Sequence, residues 1–311
     1  MKKVGLVAIG SYVPENVLTN YDLEQMVETT DEWIYSRTGI KERRIAPEGV
    51  HASDLAIKAA ADCLARTPYR PQLLIASTSS AEKTCPNQAS IIGQRLNLTQ
   101  VAAFDLNAAC SGLVYALAVA WSLMRTEGYD HALVTAGEKI TRFVDYQDRA
   151  TCILFGDAGA ALLLSTAQPE HELLAVELGA DPSGADLVVM GGPGDQFYFR
   201  QDGKSVFKFA VEKMGELIDR LKARLGVEEN EPYYVIPHQA NRRILEAVAR
   251  NKGIPPERMI CNIAQYGNTS SASIGLALKE AWEEQRFQKG DLLFLIGFGG
   301  GLSWAAAALR W

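Results

Sequence analysis

Apolar and polar residues alternate along this chain in blocks short enough to tell strands from helices. Val4-Gly5-Leu6-Val7-Ala8-Ile9 is a continuous apolar run of strand length, and Gly10, Pro14 and Asn16 mark turns after it. An acidic helical stretch follows from Tyr21. From Ser53, which has N-cap chemistry, Leu55, Ala59, Ala60, Cys63 and Leu64 form one apolar face, and Leu73-Leu74-Ile75-Ala76-Ser77 then reads as a buried strand. The pattern further predicts a helix over 91–96, a strand running into Cys110, a helix over 113–124 and strands over 131–136 and 160–164. Such alternation predicts an α/β protein.

The order then repeats. A helix over 206–225 carries Val211, Met214, Leu217, Ile218 and Leu221 on one face, and a strand over 233–236 follows. Next come a helix from Arg242, a strand over 259–264, a helix after Asn268 and a strand over 292–296. Phe298-Gly299-Gly300-Gly301 leads into a strand over 303–309, echoing Phe155-Gly156-Asp157-Ala158-Gly159 and its strand. Two similar halves are predicted, 1–168 and 169–311. Ser165-Thr166-Ala167-Gln168-Pro169 is too short for a free linker, so the halves are expected to pack as one body. Residues 31–44 mix aromatic and basic side chains without clean periodicity. Alone they read as a solvated connector, with a ligand-gripping loop as the alternative.

Three polar residues, Cys110, His238 and Asn268, fall after predicted strands and before predicted helices, where α/β sheets place ligand sites. Cys110 occupies the small-residue elbow Ala108-Ala109-Cys110-Ser111-Gly112 at a helix start, where unpaired N–H groups and the positive helix end favour a thiolate. Such a sulfur can attack a thioester carbonyl while the same amides hold the oxyanion. The plain alternatives are a core cysteine, a structural histidine and an N-cap or turn asparagine. Cys152 and Cys261 fall within predicted strand-like runs rather than at a helix start. Gly299 to Gly301 permit close approach of a backbone N–H to a ligand, or serve only as a bend.

A formal net charge of −6 argues against nucleic acid as the main partner, because phosphate binding needs a basic footprint. The five cysteines form no CxxC pair and the four histidines do not cluster near them, so no metal site is expected. The odd cysteine count, the lack of a signal-peptide pattern and the absence of an apolar run near the ~20 residues of a membrane helix lead to the expectation of a cytoplasmic protein without a membrane partner.

Taken together, Asn107-Ala108-Ala109-Cys110-Ser111-Gly112, Pro237-His238-Gln239-Ala240-Asn241, Tyr266-Gly267-Asn268-Thr269-Ser270 and Phe298-Gly299-Gly300-Gly301 resemble the thiolase-fold condensing enzymes. More narrowly, they resemble the 3-oxoacyl-(acyl carrier protein) synthase III family, which begins fatty acid chains in bacteria. Residues 31–40, Asp148-Arg149-Ala150-Thr151, Phe155-Gly156-Asp157 and Val206-Phe207-Lys208 match family segments in the same order. The resemblance implies a duplicated five-layer αβαβα fold, a homodimer, acyl-CoA and malonyl-acyl carrier protein as substrates, and no cofactor. It implies acylation of Cys110, an oxyanion hole from the Cys110 and Gly300 amides, and decarboxylation of the malonyl group beside His238 and Asn268.

By the same resemblance, Trp33 and Arg37 hold the CoA adenine with Arg149 nearby, and Asn241 belongs to the CoA site. Lys208, Arg242 and Arg243 are implied in carrier-protein docking, with a solvated charged face as the plain alternative. Cys85 aligns with a loop position that closes the end of the partner subunit's acyl pocket, where some members carry phenylalanine. The smaller side chain implies a longer or branched primer. Two other readings stand beside this one: a specialised-metabolism relative that moves the acyl group to another nucleophile, and a non-catalytic acyl-binding subunit, against which the presence of Cys110 speaks.

Overall fold

A computed structural model describes residues 2–167, 169–191, 198–228 and 231–311. The first half contains β1 (Gly5–Tyr12), β2 (Val17–Thr19), α1 (Asn20–Glu24), α2 (Asp31–Thr38), β3 (Glu42–Arg44), α3 (Ala52–Ala65), β4 (Leu73–Ser77), α4 (Gln88–Arg95), β5 (Ala102–Leu106), α5 (Gly112–Thr126), β6 (His131–Glu138) and β7 (Ala158–Ser165). The second contains β8 (His171–Ala180), β9 (Val188–Val189), β10 (Arg200–Gln201), α6 (Gly203–Leu225), β11 (Tyr233–Pro237), α7 (Arg242–Lys252), α8 (Ile263–Tyr266), α9 (Ala272–Glu283), β12 (Leu292–Gly299) and β13 (Ser303–Arg310). Gln168, at which the predicted halves divide, lies outside the described residues.

The main sheet runs β11-β12-β13-β8-β1-β7-β6-β4-β5 and is nearly palindromic about the β8–β1 pair. Moving outward on either side, β7 or β13 is antiparallel to the central strand, β6 or β12 is antiparallel to that, and β4 or β11 is parallel to the last. Helices α3 and α4 cover the outer face of the first-half strands, and α6 with α7 cover that of the second. Between them lie α5 and α9, each touching strands of both halves, which makes five layers in the order αβαβα.

Burial follows from that layering. The outer helix α6 buries Ala210, Met214, Leu217, Ile218 and Leu221, a single stripe. The central α5 buries Leu113, Val114, Ala116, Leu117, Ala118 and Ala120, because both of its faces meet protein. By length and composition the run Ala109–Thr126 could cross a bilayer; here it is a core helix packed between strands of the two halves.

Several elements depart from the sequence reading. Residues 31–44 are α2 and β3 rather than a connector. Thr30 Oγ1 accepts from Trp33 N at 3.1 Å to start α2, Gly39 ends it in the left-handed region, and with only Ile34 and Thr38 buried there is little periodicity to detect. The predicted strand over 259–264 is reduced to a bridge between Met259 and Val235 before the chain enters α8. The Gln239 side chain takes up its ladder groups, donating to Ile260 O at 3.1 Å and accepting from Asn262 N at 3.1 Å. Cys261 is therefore exposed outside any strand, and Cys152 lies buried in a turn. Ser53 is not the N-cap of α3: His51 holds that place, and Ser53 Oγ donates to Glu82. β8, which no predicted element anticipates, buries Leu173 and Ala175 among charged neighbours.

Candidate active site

The parallel strands β4, β5 and β6 end side by side, with Ser77 aligned to Leu106 and Ala136. Just past β5, Asn107 Oδ1 accepts from Ala109 N at 3.1 Å, and Ala109 has φ 48°, a conformation uncommon for a residue with a Cβ. The chain then makes a single 3₁₀ turn, Ala109–Ser111, which carries Cys110 and runs into α5. Ser303 Oγ ties the elbow down, lying 2.8 Å from Ser111 Oγ and donating to Ala108 O at 3.1 Å. The end of β12 presses on it from the other half. A Cβ on Gly299 would sit 2.7 Å from Cys110 N, and one on Gly297 would sit 2.8 Å from Ser111 Cα, so both positions require glycine.

The facing wall is the turn 268–273. Its main chain is bound to the first half, with Asn268 N donating to Leu154 O at 2.8 Å and Gly156 N to Asn268 O at 3.0 Å. Asn268 Oδ1 accepts from Ser270 N at 2.9 Å, and Ser270 has φ 51°. From that strained position Ser270 Oγ reaches to 3.5 Å from Cys110 Sγ. His238 leaves β11 with its N–H on Ile296 O at 2.8 Å, and its Nδ1 lies 2.8 Å from Ser273 Oγ. One turn thus touches Cys110, contains Asn268 and positions His238. The Phe298 ring meets the imidazole edge at 5.2 Å between centroids.

Burial dominates the electrostatics. Desolvation pushes the Cys110 thiol up to about 12, the Ser270 hydrogen bond opposes this, and the Glu138 charge adds to it. The helix-start setting expected to favour a thiolate is present, and burial works against it. Desolvation also pulls His238 down to about 3, so its imidazole is neutral. His238 and Asn268 are 2% and 7% exposed. In front of Cys110 opens a cavity of about 370 Å³, bordered by Asn107, Ser270 and Gly300 and otherwise largely apolar, with Ile140, Phe143, Phe155, Val188, Met190 and Phe199.

Residues 104–182 match the family model of 3-oxoacyl-[acyl-carrier-protein (ACP)] synthase III, and residues 222–311 match that of its C terminal. A β-ketoacyl-[acyl-carrier-protein] synthase III of Listeria welshimeri is 41% identical over 310 residues, covering 99% of this chain and 98% of the relative. The chain belongs to the 3-oxoacyl-[acyl-carrier-protein] synthase III family. Solved structures of synthase III proteins agree. That from Pseudomonas aeruginosa superposes with a TM-score of 0.95 at 40% identity, covering 100% of this chain and 98% of its own. The one from Aquifex aeolicus gives 0.93 at 40%, covering 99% and 100%.

The other residues singled out in this synthase III chain fall into separate groups. Arg149 Cζ lies 4.8 Å from the Trp33 ring centroid and Arg37 Cζ 5.9 Å, and Arg149 is anchored by donation to Glu28 O at 3.1 Å. Asn241 adjoins them: it caps α7 through Arg243 N at 2.9 Å and donates to Arg37 O at 3.1 Å. Arg242 is half-buried, donating to the Tyr35 hydroxyl at 2.7 Å and pairing with Glu246 at 3.2 Å. Arg243 is exposed, and Lys208 near the start of α6 is 76% exposed with Glu212 3.9 Å away. Cys85 is exposed and does not border the cavity, whereas Ala81 of the same loop does.

Sequence reasoning passed over Ser270, Ser273 and Glu138. Ser270 stands inside a quoted motif and reads as a turn residue; only its left-handed φ and its contact with Cys110 set it apart. Glu138 had a legible signal, a carboxylate at the carboxyl end of the apolar strand β6. It is fully buried; desolvation raises its pKa, while Ser271, Ser80, Ser79 and Ser270 pull it back. Arg43, also fully buried, joins Leu18 O, Asn20 Oδ1 and Ile153 O at 2.8 to 3.0 Å, tying the β2–β3 arm to the loop that holds Asn268.

Proposed function

We infer that the chain catalyses decarboxylating condensation of an acyl-CoA with malonyl-acyl carrier protein, giving 3-oxoacyl-carrier protein, CoA and CO₂, and so begins fatty acid chains. The observation that carries this reading is the convergence of Cys110, His238 and Asn268 on one turn beside an apolar cavity. In the first stage Cys110 sulfur attacks the acyl-CoA carbonyl, the amides of Cys110 and Gly300 receive the oxyanion, and CoA leaves. In the second, malonyl-carrier protein loses CO₂ and the resulting enolate oxygen is held by His238 and Asn268. A neutral imidazole and an amide suit that role, since each donates a hydrogen bond without bringing a charge. The enolate carbon attacks the Cys110 thioester, forming the new carbon–carbon bond and releasing the sulfur.

Trp33 with Arg37, Arg149 and Asn241 forms the adenine end of the CoA site, where a purine can join the existing guanidinium–indole stack. Arg243 and Lys208 supply local positive charge for an acidic carrier protein on an acidic enzyme, while Arg242 is occupied by Tyr35 and Glu246. The protein works as a homodimer in the cytoplasm, with Cys85 at the end of the partner's acyl pocket, and accepts primers longer than acetyl.

Intact-protein mass spectrometry tests the reading. After incubation with acetyl- to octanoyl-CoA, the wild type should gain a single acyl mass, which Cys110→Ala abolishes and malonyl-carrier protein removes with release of the 3-oxoacyl product. Acyl mass retained by Cys110→Ala on another cysteine would end the assignment.

A further inference from the structure

Behind the nucleophile lies a buried carboxylate that the reaction scheme above does not use. Glu138 Oε1 accepts from Ser271 Oγ at 2.6 Å, Ser270 Oγ at 3.2 Å and Ser79 Oγ at 3.2 Å; Oε2 accepts from Ser80 Oγ at 2.7 Å and Ser79 N at 3.2 Å. Ser80 Oγ is itself an acceptor from Lys139 N at 2.9 Å, which leaves its hydrogen for the carboxylate. Every one of these neighbours donates. Such a shell suits an ionised carboxylate, which only accepts. Among the described residues no lysine, arginine or histidine pairs with Glu138. A fully buried carboxylate held by hydroxyls alone is an expensive feature to place at a strand end, and such groups concentrate at functional sites.

Ser270 fixes the direction of the hydrogen bonds. Its one hydroxyl hydrogen goes to Glu138, so at Cys110, 3.5 Å away, it can only present a lone pair, and the thiol must be the donor. A chain of donors therefore runs from Cys110 S–H to Ser270 O–H to Glu138. Ser270 is held for this by its left-handed backbone and by its N–H on Asn268 Oδ1. Among the described residues Ser270 Oγ is the hydrogen-bond partner of Cys110 Sγ, while His238 Nδ1 is directed to Ser273.

We propose that Ser270 is a catalytic residue and Glu138 the positioning residue behind it, together removing the thiol proton as Cys110 attacks the acyl-CoA. The step rests on the acylation reading above and balances. The S–H bond breaks as its proton passes to Ser270 Oγ, and the Ser270 hydroxyl proton passes to Glu138 Oε1. The sulfur electron pair forms the bond to the acyl carbon. When the tetrahedral intermediate collapses, the carbon–sulfur bond to CoA breaks, and the proton returns from Glu138 through Ser270 to the departing CoA sulfur. The relay requires Glu138 to be ionised before attack, the form its shell of donors favours while burial raises its pKa; that charge disfavours a standing thiolate nearby and is neutralised as the attack proceeds.

That charge logic separates a relay from a merely structural role. In Glu138→Gln the negative charge and the proton acceptor disappear together, so alkylation of Cys110 by iodoacetamide at fixed pH should speed up while single-turnover acylation by butyryl-CoA slows ~10²-fold. Ser270→Ala keeps Ser79, Ser80 and Ser271 on Glu138, preserves the fold by circular dichroism, and should slow acylation by a similar factor without faster alkylation. Glu138→Asp, which retains the carboxylate, should recover part of the acylation rate. Acylation within ~3-fold of wild type in folded Ser270→Ala overturns the relay, whether or not Glu138→Gln folds. Alkylation and acylation falling in parallel in Glu138→Gln also overturns it, since displacement of Cys110 would do that. A wild type that gains acyl mass from no acyl-CoA removes the acylation reading, and the relay with it.

Discussion

At the scale of single residues, burial decides which protonation states the site can use. His238 is drawn down from 6.5 to about 3 by loss of water, so it stays neutral wherever the enzyme is folded and active. Between about pH 3 and 6.5 the unfolded chain binds a proton at His238 that the native chain does not. Its contribution therefore makes stability rise with pH through that window, by at most ~1.4 kcal/mol per pH unit, and vanish as a slope above it. His238→Asn should flatten the acid side of a urea-midpoint profile, and the imidazole resonances of the wild type should include one that shows no protonation at pH 5. A His238 resonance titrating near 6.5 would contradict the assigned environment. The same neutrality predicts a split between the two stages. His238→Ala should lower malonyl decarboxylation ~10²–10³-fold and spare acylation of Cys110, because its charge partner forms only in the second stage, whereas Asn268→Ala also frees the Ser270 N–H and should lower both. Equal losses in both half-reactions of His238→Ala would instead make His238 the base for the thiol. The placement of Cys110 and His238 between a strand and a helix was legible; that of Asn268 was not, since it follows the short helix α8. The state of the thiol was not, because a helix start is visible in sequence and the depth of burial is not.

At the scale of elements, the site depends on strand ends from both halves meeting at the elbow. Gly299 at the end of β12 is one such close approach, with a Cβ there 2.7 Å from Cys110 N and 3.1 Å from Cys110 Cβ. Gly299→Ala should lower stability by ~1–3 kcal/mol through overpacking and slow acylation about 10²-fold by moving the sulfur. Urea denaturation and single-turnover mass measurements read the two effects separately; an unchanged acylation rate would mean the elbow is more compliant than its contacts suggest. Strands β4, β6 and β12 announced themselves as apolar runs because both faces are covered. By contrast, α2 owes its place to a threonine cap, a terminal glycine and tertiary docking, none of which leaves a periodic trace. The missing strand at 259–264 has a similar cause: its residues are apolar enough, but a glutamine side chain from the loop after β11 occupies its hydrogen-bonding groups.

At the scale of the whole molecule, the proposed dimer would place Cys85 of one chain at the end of the other's cavity. Cys85 stands exposed on a loop whose Ala81 borders the chain's own cavity. If it closes the partner's pocket, Cys85→Phe fills space in which each primer methylene gains ~0.8 kcal/mol. The wild type should use four-carbon and longer primers at least as well as acetyl-CoA, and Cys85→Phe should shift kcat/KM toward acetyl. A wild type restricted to acetyl-CoA, with an unchanged profile in the variant, would remove this account of specificity. The sequence by itself determined the α/β alternation, its repetition, and the strand-end loops that carry Cys110 and His238, because periodicity and strand-end placement are local properties of the chain. Only the tertiary structure decided how those loops meet. The Ser270–Glu138 contact spans 132 positions, the shift of the Cys110 thiol comes from water excluded by both halves, and β8 enters the sheet through partners distant in sequence. Interactions of that kind arise from burial and packing across the duplicated fold, which no local pattern encodes.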